Sequence, residues 1–306
     1  MKKAIILGAN GFLGKNLTHY LVKMGVEVCA MVQVHSNYED IKHLQNVEII
    51  EFELDSIQQY ENIISKDYDV LYHLAWVGVC SSAKNDFYVQ SKNILHNISV
   101  LDFAKKINVG KVIFPGTASE FSCSNEIITG NNIPAPSDMY STIKLSVRYI
   151  SQMYAKQIGI PVIWTFIGSV YGPGRNDNNL ITYTIKSLLS NKTPQYTKLE
   201  QKWDYIYIKD LVKALFLIAL YGKNGTSYPI GSGSNRSLLD YVLTIKNMID
   251  SSSSIEIDKI PYKNSTIDNQ IVDIGALVKD TGFKPDYSFE NGIIETIEYF
   301  KKLNNV

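Results

Sequence analysis

KAIILGANGFLG, residues 3–14, decides the fold. An apolar run stops at Gly8, and glycines follow at 11 and 14. A short apolar run closed by glycine predicts a buried strand. The next segment, FLGKNLTHYLVKM (12–24), carries helical periodicity. A sharp turn between them needs a residue free of Cβ constraints, and Gly8 supplies it. A second glycine, Gly11, lets backbone approach a pyrophosphate, and a third, Gly14, lets the helix pack on the strand. The helix N-terminus then turns its unpaired N–H groups and the positive end of its dipole toward the phosphates. Strand, glycine turn and helix in that order predict a dinucleotide site.

Working outward, the first half alternates short β-branched runs with helical segments. EVCAMVQ (27–33), VEIIEFEL (47–54), DVLYHLA (69–75), KVIFPGT (111–117) and VIWTFIG (162–168) predict strands. Helices are expected near 57–65, 86–107 and 139–157. Apolar strands separated by helices imply a parallel sheet covered on both faces, an α/β doubly wound fold. After residue 168 the pattern loosens. YGPGRNDNN (171–179) is a loop, a helix follows near 180–190, and YIYI (205–208) predicts a strand leading into a helix at 209–221. Further amphipathic helices are expected at 237–250 and 289–303. Residues 1–168 with about 203–226 are expected to form the dinucleotide-binding domain. About 169–202 with 227–306 would form a smaller C-terminal substrate-binding lobe over the carboxyl edge of the sheet.

Composition narrows the partners. The chain has 306 residues, 45% hydrophobic and 20% charged, with a formal net charge of zero. That balance gives no global drive toward nucleic acid or an anionic membrane. The run ALFLIALY (214–221) is too short to cross a bilayer, and glycines and Asn10 interrupt the N-terminal apolar stretch. Cys29, Cys80 and Cys123 have no metal-like spacing and read as reduced thiols of a cytoplasmic protein. No metal site is expected. Of 30 basic residues only Arg148, Arg175 and Arg236 are arginines.

The glycine spacing is G-x-x-G-x-x-G. With YHLAW (72–76), Asn93, YGPGR (171–175), WDYIYIKD (203–210) and GFKPDYSFENGI (282–293), the chain resembles the extended short-chain dehydrogenase/reductase family over nearly its whole length. The nucleotide-sugar epimerases, dehydratases and ketoreductases of the NAD-dependent epimerase/dehydratase type belong to that family. The resemblance implies a Rossmann domain, a nucleotide-sugar substrate and a homodimer built on helices 86–107 and 139–157. It implies cofactor contacts from Gly8, Asn10, Gly11, Phe12, Leu13 and Gly14, and from Gln33, His35 and Ser36 after the second strand. Glu53 and Leu54 would follow the third strand, and Leu74, Ala75 and Trp76 the fourth, with Asn93 on the next helix.

The cofactor form is read from the second strand. An NAD site usually ends that strand with Asp or Glu on the ribose 2′-OH. Here MVQVHSN puts Val32 and Gln33 in that place. A missing carboxylate removes a repulsive charge from a 2′-phosphate, which Gln33, His35, Ser36 and Asn37 can reach with hydrogen bonds. NADP(H) is favoured over NAD(H).

A tyrosine four residues ahead of a lysine occurs four times: Tyr38–Lys42, Tyr88–Lys92, Tyr140–Lys144 and Tyr205–Lys209. Chance supplies about two in a chain of this composition. Of the four, Tyr140–Lys144 opens a long helix after the fifth strand, which ends in Thr117. Positions i and i+4 share a helix face, and a nearby ammonium favours the phenolate. In the family that face meets the nicotinamide, so the resemblance makes Thr117, Tyr140 and Lys144 the catalytic set.

Relatives that remove water carry Asp-Glu after the position of Thr117, and bifunctional epimerase/reductases carry a cysteine near Ser119 and a histidine after Y-G-P. This chain has Ala118-Ser119 and Gly174. A single-site reaction remains. A 4-ketoreductase of a nucleotide-linked 4-keto-6-deoxysugar is favoured over an NAD-dependent UDP-hexose 4-epimerase, and both over a non-catalytic cofactor sensor. Expected substrate contacts are Thr117, Ser119, Glu120, Ser169, Arg175, Leu180 and Trp203. Glu120 either touches a sugar hydroxyl or faces solvent. Trp203 and the residues around Lys263 stand where epimerases use arginines on the diphosphate, which leaves Arg175, Lys198 or Lys202 as substitutes.

Overall fold

A computed structural model describes residues 1–79, 82–122, 126–262 and 269–304. The first half runs β1 (Lys3–Leu7), α1 (Phe12–Lys23), β2 (Glu27–Gln33), the short α2 (Glu39–Lys42), β3 (Val47–Phe52), β4 (Val70–His73), α3 (Phe87–Lys106), β5 (Val112–Thr117), α4 (Met139–Ile158) and β6 (Val162–Ile167). There follow β7 (Ser169–Tyr171), α5 (Leu180–Leu189), β8 (Lys202–Trp203), β9 (Tyr205–Tyr207), α6 (Ile208–Tyr221), β10 (Ser227–Ile230) and β11 (Arg236–Ser237). Three helices close the described chain: α7 (Leu238–Ile249), α8 (Gly275–Thr281) and α9 (Phe289–Asn304).

Seven strands form one parallel sheet in the order β10-β6-β5-β4-β1-β2-β3. Strand order reverses at β1, between β4 and β2, and a ligand in such a sheet binds outside the carboxyl ends at that reversal. The alternation of side chains on β1 splits the core. Ala4 and Ile6 pack with Leu17, Leu21, Leu211 and Leu215 of α1 and α6 on one face. Ile5 and Leu7 pack with Val100, Phe103 and Val147 of α3 and α4 on the other. Each fully buried Ile, Leu, Val or Phe among these stabilises the fold by roughly 1.5–3 kcal/mol. The α/β doubly wound fold is therefore as expected.

Besides α2, β7, β8, β11 and α8, which the sequence reading did not include, three elements differ from it. Residues 57–65 are not an α-helix; Leu54–Tyr60 forms a kinked 3₁₀ segment with Ser56 outside helical geometry. Asp and Ser compete with the backbone for hydrogen bonds, and Asp55 is engaged by His96 of α3 at 2.5 Å. The strand at 205–208 ends at Tyr207, which caps α6. The strand β10 was not anticipated, because Pro229 lies in it. Proline is tolerated at a sheet edge, and β10 is the edge strand beside β6. Its residues lie past 226, yet they belong to the main sheet.

The glycine turn has the geometry its sequence demands. Gly8 has φ +82°, and a Cβ there would lie 2.9 Å from the Ala75 nitrogen. A Cβ on Gly14 would lie 2.2 Å from the Gly8 carbonyl oxygen and 2.7 Å from Ala9 Cα, both backbone atoms that cannot swing aside. Gly14→Ala is expected to destabilise the protein by about 1–3 kcal/mol through overpacking and to weaken cofactor binding. Urea unfolding and cofactor titration check this; wild-type values for both would refute the packing role.

Candidate active site

Two helices and two strand ends build the site. Gly11 stands at the N-cap of α1 and makes no side-chain cap. The first-turn amides of Phe12, Leu13 and Gly14 therefore face the crevice without an internal partner. Beside them, Leu74 N–H donates to the Leu7 carbonyl at 2.9 Å, and the Ala75 backbone touches Gly8. These residues fit a dinucleotide pyrophosphate. Asn93 is buried and acts one step back: its side chain accepts from Val77 N at 2.9 Å and donates to Val77 O at 3.0 Å, pinning the segment after β4.

The adenosine end is shaped by a tight turn. His35 adopts a left-handed φ of 58°, and Ser36 donates both N–H, at 3.1 Å, and hydroxyl to the Gln33 carbonyl. Gln33 and His35 are exposed, as is Glu53, while Leu54 is half-buried. The strand-end reading missed a carboxylate: Asp40 of α2 pairs with Lys15 of α1 at 2.9 Å. No motif at the end of β2 signals it, because α2 is four residues long.

Of the catalytic set expected from sequence, Tyr140 and Lys144 meet on Trp76. α4 is started by Asp138, which accepts from Ser141 N at 2.7 Å. Its first turns carry Tyr140 and Lys144 inward. The Lys144 ammonium donates to the Pro115 carbonyl at 2.8 Å and lies 3.6 Å from the Trp76 ring centroid. Trp76 meets Tyr140 edge to face at 5.9 Å. Burial lowers Lys144 to about 7, opposed by Glu120. Burial raises Tyr140 well above the ordinary phenol value, and the charges of Glu120 and Asp138 add to that. The other three pairs are built differently. Tyr38 donates to Glu51, Tyr88 is largely exposed, and Lys209 pairs with Glu295.

Glu120 does not face solvent. It is fully buried beneath Thr117. One carboxylate oxygen accepts from Thr117 N at 3.1 Å and from the Trp164 indole at 3.2 Å. The other lies 3.5 Å from Arg148 Nε without a hydrogen bond. Trp164 reaches this position across Gly116, where a Cβ would meet the indole nitrogen at 2.0 Å. Desolvation raises Glu120 to about 7, against the attraction of Arg148. Arg148 comes one turn after Lys144, so Tyr140, Lys144 and Arg148 line one face of α4. Thr117 itself accepts from Ser119 N at 3.2 Å, which leaves its hydroxyl proton available. His73 is buried nearby and lowered to about 3 by desolvation, so it remains neutral there.

The expected substrate contacts separate. Trp203 donates its indole N–H to Ser169 at 2.8 Å, and Ser169 donates to Gln270 at 2.8 Å. Arg175 is held by both oxygens of Asp177, at 2.7 and 2.8 Å, and by the Val170 carbonyl. It is a loop brace rather than a free cation. Leu180 begins α5 and packs with Tyr196 and Leu199; Lys198 and Lys202 are exposed. Cys80, Cys123 and Lys263 lie outside the described residues. Cys29 is a buried thiol raised to about 12 by desolvation. Among the described residues no helix is long and apolar enough to cross a membrane.

A Rossmann-type sheet with a glycine turn at its reversal and a Thr, Tyr and Lys at its edge defines a dinucleotide-binding protein of the short-chain dehydrogenase/reductase class. Residues 4–231 match the model of the NAD dependent epimerase/dehydratase family. The chain belongs to that family. A dTDP-glucose 4,6-dehydratase of Salmonella typhimurium is 30% identical over 188 residues, 59% of this chain and 52% of the relative. The chain thus spans about half the length of the dehydratases it matches. A CDP-abequose synthase of the same organism is 28% identical and aligns over 96% of this chain and 97% of its own. In structure, a UDP-N-acetylglucosamine 4-epimerase from Methanobrevibacter ruminantium superimposes with TM-score 0.87 at 22% identity, covering 99% of both chains.

Proposed function

We propose that the protein is an NADP(H)-dependent reductase of a nucleotide-linked 4-keto-6-deoxysugar. The observation that carries this reading is the placement of Tyr140. Its ring packs on Trp76 at the head of α4, with the Lys144 ammonium over the same indole, and its phenol has a proton to give. The residues after Thr117 agree, since Ala118-Ser119 offers no acid/base pair for elimination. The near end-to-end likeness to a nucleotide-sugar synthase points the same way.

When bound, the cofactor supplies the hydride from C4 of its nicotinamide to the keto carbon. Thr117 donates a hydrogen bond to the keto oxygen. Tyr140 transfers its phenolic proton to that oxygen as negative charge develops there, so the C=O becomes a secondary alcohol. Lys144, fixed on the Pro115 carbonyl, stabilises the phenolate left behind. The lack of a carboxylate at the end of β2 supports NADP(H), and Asp40 is occupied by Lys15. NADPH oxidation against a panel of nucleotide 4-ketosugars, with products identified by NMR, tests the reading. Tightly held NAD in the purified protein, with epimerised product and no net NADPH consumption, would replace it with a 4-epimerase.

We read the protein as a homodimer. Among the described residues, Phe87, Tyr88 and Leu95 of α3 and Tyr149, Ile150 and Met153 of α4 expose large apolar side chains. These helices pack on each other, and such a patch on paired helices marks an association surface. Replacing both Leu95 and Met153 with Glu is expected to convert a dimer to a monomer in light scattering. A monomeric wild type would refute this.

A further inference from the structure

We infer that Arg236 anchors the substrate phosphates, supplying from the neighbouring strand a cation that position 203 lacks; this rests on reading the substrate as a nucleoside-diphosphate sugar. β8 and β11 are antiparallel and set Arg236 directly opposite Trp203. Opposed residues of such a pair project from one face with Cβ atoms about 4.5–5.5 Å apart. A guanidinium at 236 therefore reaches ground adjoining position 203. Trp203 cannot serve there, because an indole has one donor and Ser169 accepts it.

The surroundings suit an anion. Arg236 borders a cavity of about 250 Å³ whose walls include Tyr171, Tyr205, Ser232 and Ser234 and no Asp or Glu. Whole small-molecule sites usually enclose about 300–1,000 Å³, so this one fits part of a ligand, a diphosphate. Ser232 is committed to Asp204 and Tyr171 to the Phe289 carbonyl. The Tyr205 hydroxyl has no hydrogen-bond partner among the described residues and remains a donor for the ligand. Strand register relates this cavity to the strand that ends in Thr117. Thr117 is in register with Ile167 on β6, and Ser169, two residues on, is in register with Tyr205 on β9.

The other arginines are spent. Arg148 is buried with Glu120, and Arg175 is gripped at both prongs by Asp177. Arg236 makes one hydrogen bond, from Nη1 to Glu290 at 2.6 Å. Its Nε and Nη2 have no partner among the described residues, and a planar fork with free N–H groups matches phosphate. Glu290 holds the guanidinium in place and competes with an incoming anion.

Calorimetric titration of the full chain with UDP, CDP, GDP and dTDP, with uridine and cytidine as phosphate-free controls, tests the anchor. Arg236→Ala is expected to weaken binding of the preferred diphosphate about 10- to 100-fold and to leave the nucleoside unaffected. Arg236→Lys should recover part of the loss, since lysine lacks the fork. Glu290→Gln, which keeps the guanidinium, should tighten diphosphate binding and shows that the pocket has folded. Unchanged diphosphate affinity in Arg236→Ala, an equal loss for the nucleoside, or no diphosphate binding by wild type overturns the inference. Turnover separates this from the reductase reading. Ketosugar reduction with unaltered affinity in Arg236→Ala removes the anchor alone, whereas Arg236-dependent UDP or CDP binding without any reduction removes the reductase alone.

Discussion

Tyr140→Phe is expected to lower kcat by about 10²–10⁴-fold, the range general acid catalysis supplies, with cofactor affinity nearly unchanged. The phenylalanine keeps the ring that packs edge to face on Trp76, so the fold around it is preserved. It removes the one proton that Tyr140 can deliver to the substrate oxygen. Lys144 cannot substitute, because its ammonium is bonded to the Pro115 carbonyl and lies over Trp76. Single-turnover kinetics with prebound NADPH reads the chemical step directly. Wild-type turnover by the phenylalanine variant would exclude Tyr140 as the acid.

Glu120→Ala is expected to cost about 3–5 kcal/mol of stability, the range for breaking a buried ion pair by removing one partner. It strands the Arg148 guanidinium, 5% exposed, and leaves the Thr117 N–H and Trp164 indole without their acceptor. Glu120→Gln keeps an acceptor for both and should lose much less. The two variants also differ from wild type in pH dependence. The Glu120 carboxyl rises from 4.5 to about 7 on folding. Between those values the native state holds a proton that the unfolded chain has released, so stability falls as pH rises, by about 3 kcal/mol in all. Lys144 falls from 10.5 to about 7, so its contribution rises with pH between 7 and 10.5. Around Glu120 stand Arg148, Lys144 and Tyr140 from α4 and Trp164 from β6. His73, lowered to about 3, contributes in the opposite sense between 3 and 6.5, so the Glu120 share is read as a difference: from pH 4.5 to 7 the urea midpoint of wild type should fall relative to that of Glu120→Gln. An unchanged acid slope in that variant would remove Glu120 as the source.

The strand, glycine turn and helix of residues 3–24 were legible because every part is local: an apolar run, a positive-φ turn and a periodic helix. The placement of Tyr140 in the first turn of a long helix after β5 was legible, and it set this spacing apart from the other three. β10 was not, since Pro229 argues against a strand unless the edge position is known. The burial of Glu120 was hidden for another reason. Its partners Thr117, Arg148 and Trp164 come from three separate elements, and Trp164 lies 44 residues away in sequence. The opposition of Arg236 to Trp203 was equally invisible, because β8 and β11 are two residues each and carry no period.

α4 presents two distinct faces. Inward it carries Tyr140, Lys144 and Arg148, and outward it exposes Tyr149, Ile150 and Met153. A second subunit seated on the outer face would bear on the same helix that carries Tyr140. Assembly and turnover would then share one mechanical part. Specific activity is expected to fall on dilution through the dissociation range of the dimer, in step with the light-scattering mass. Constant specific activity across that range would mean that each subunit works alone.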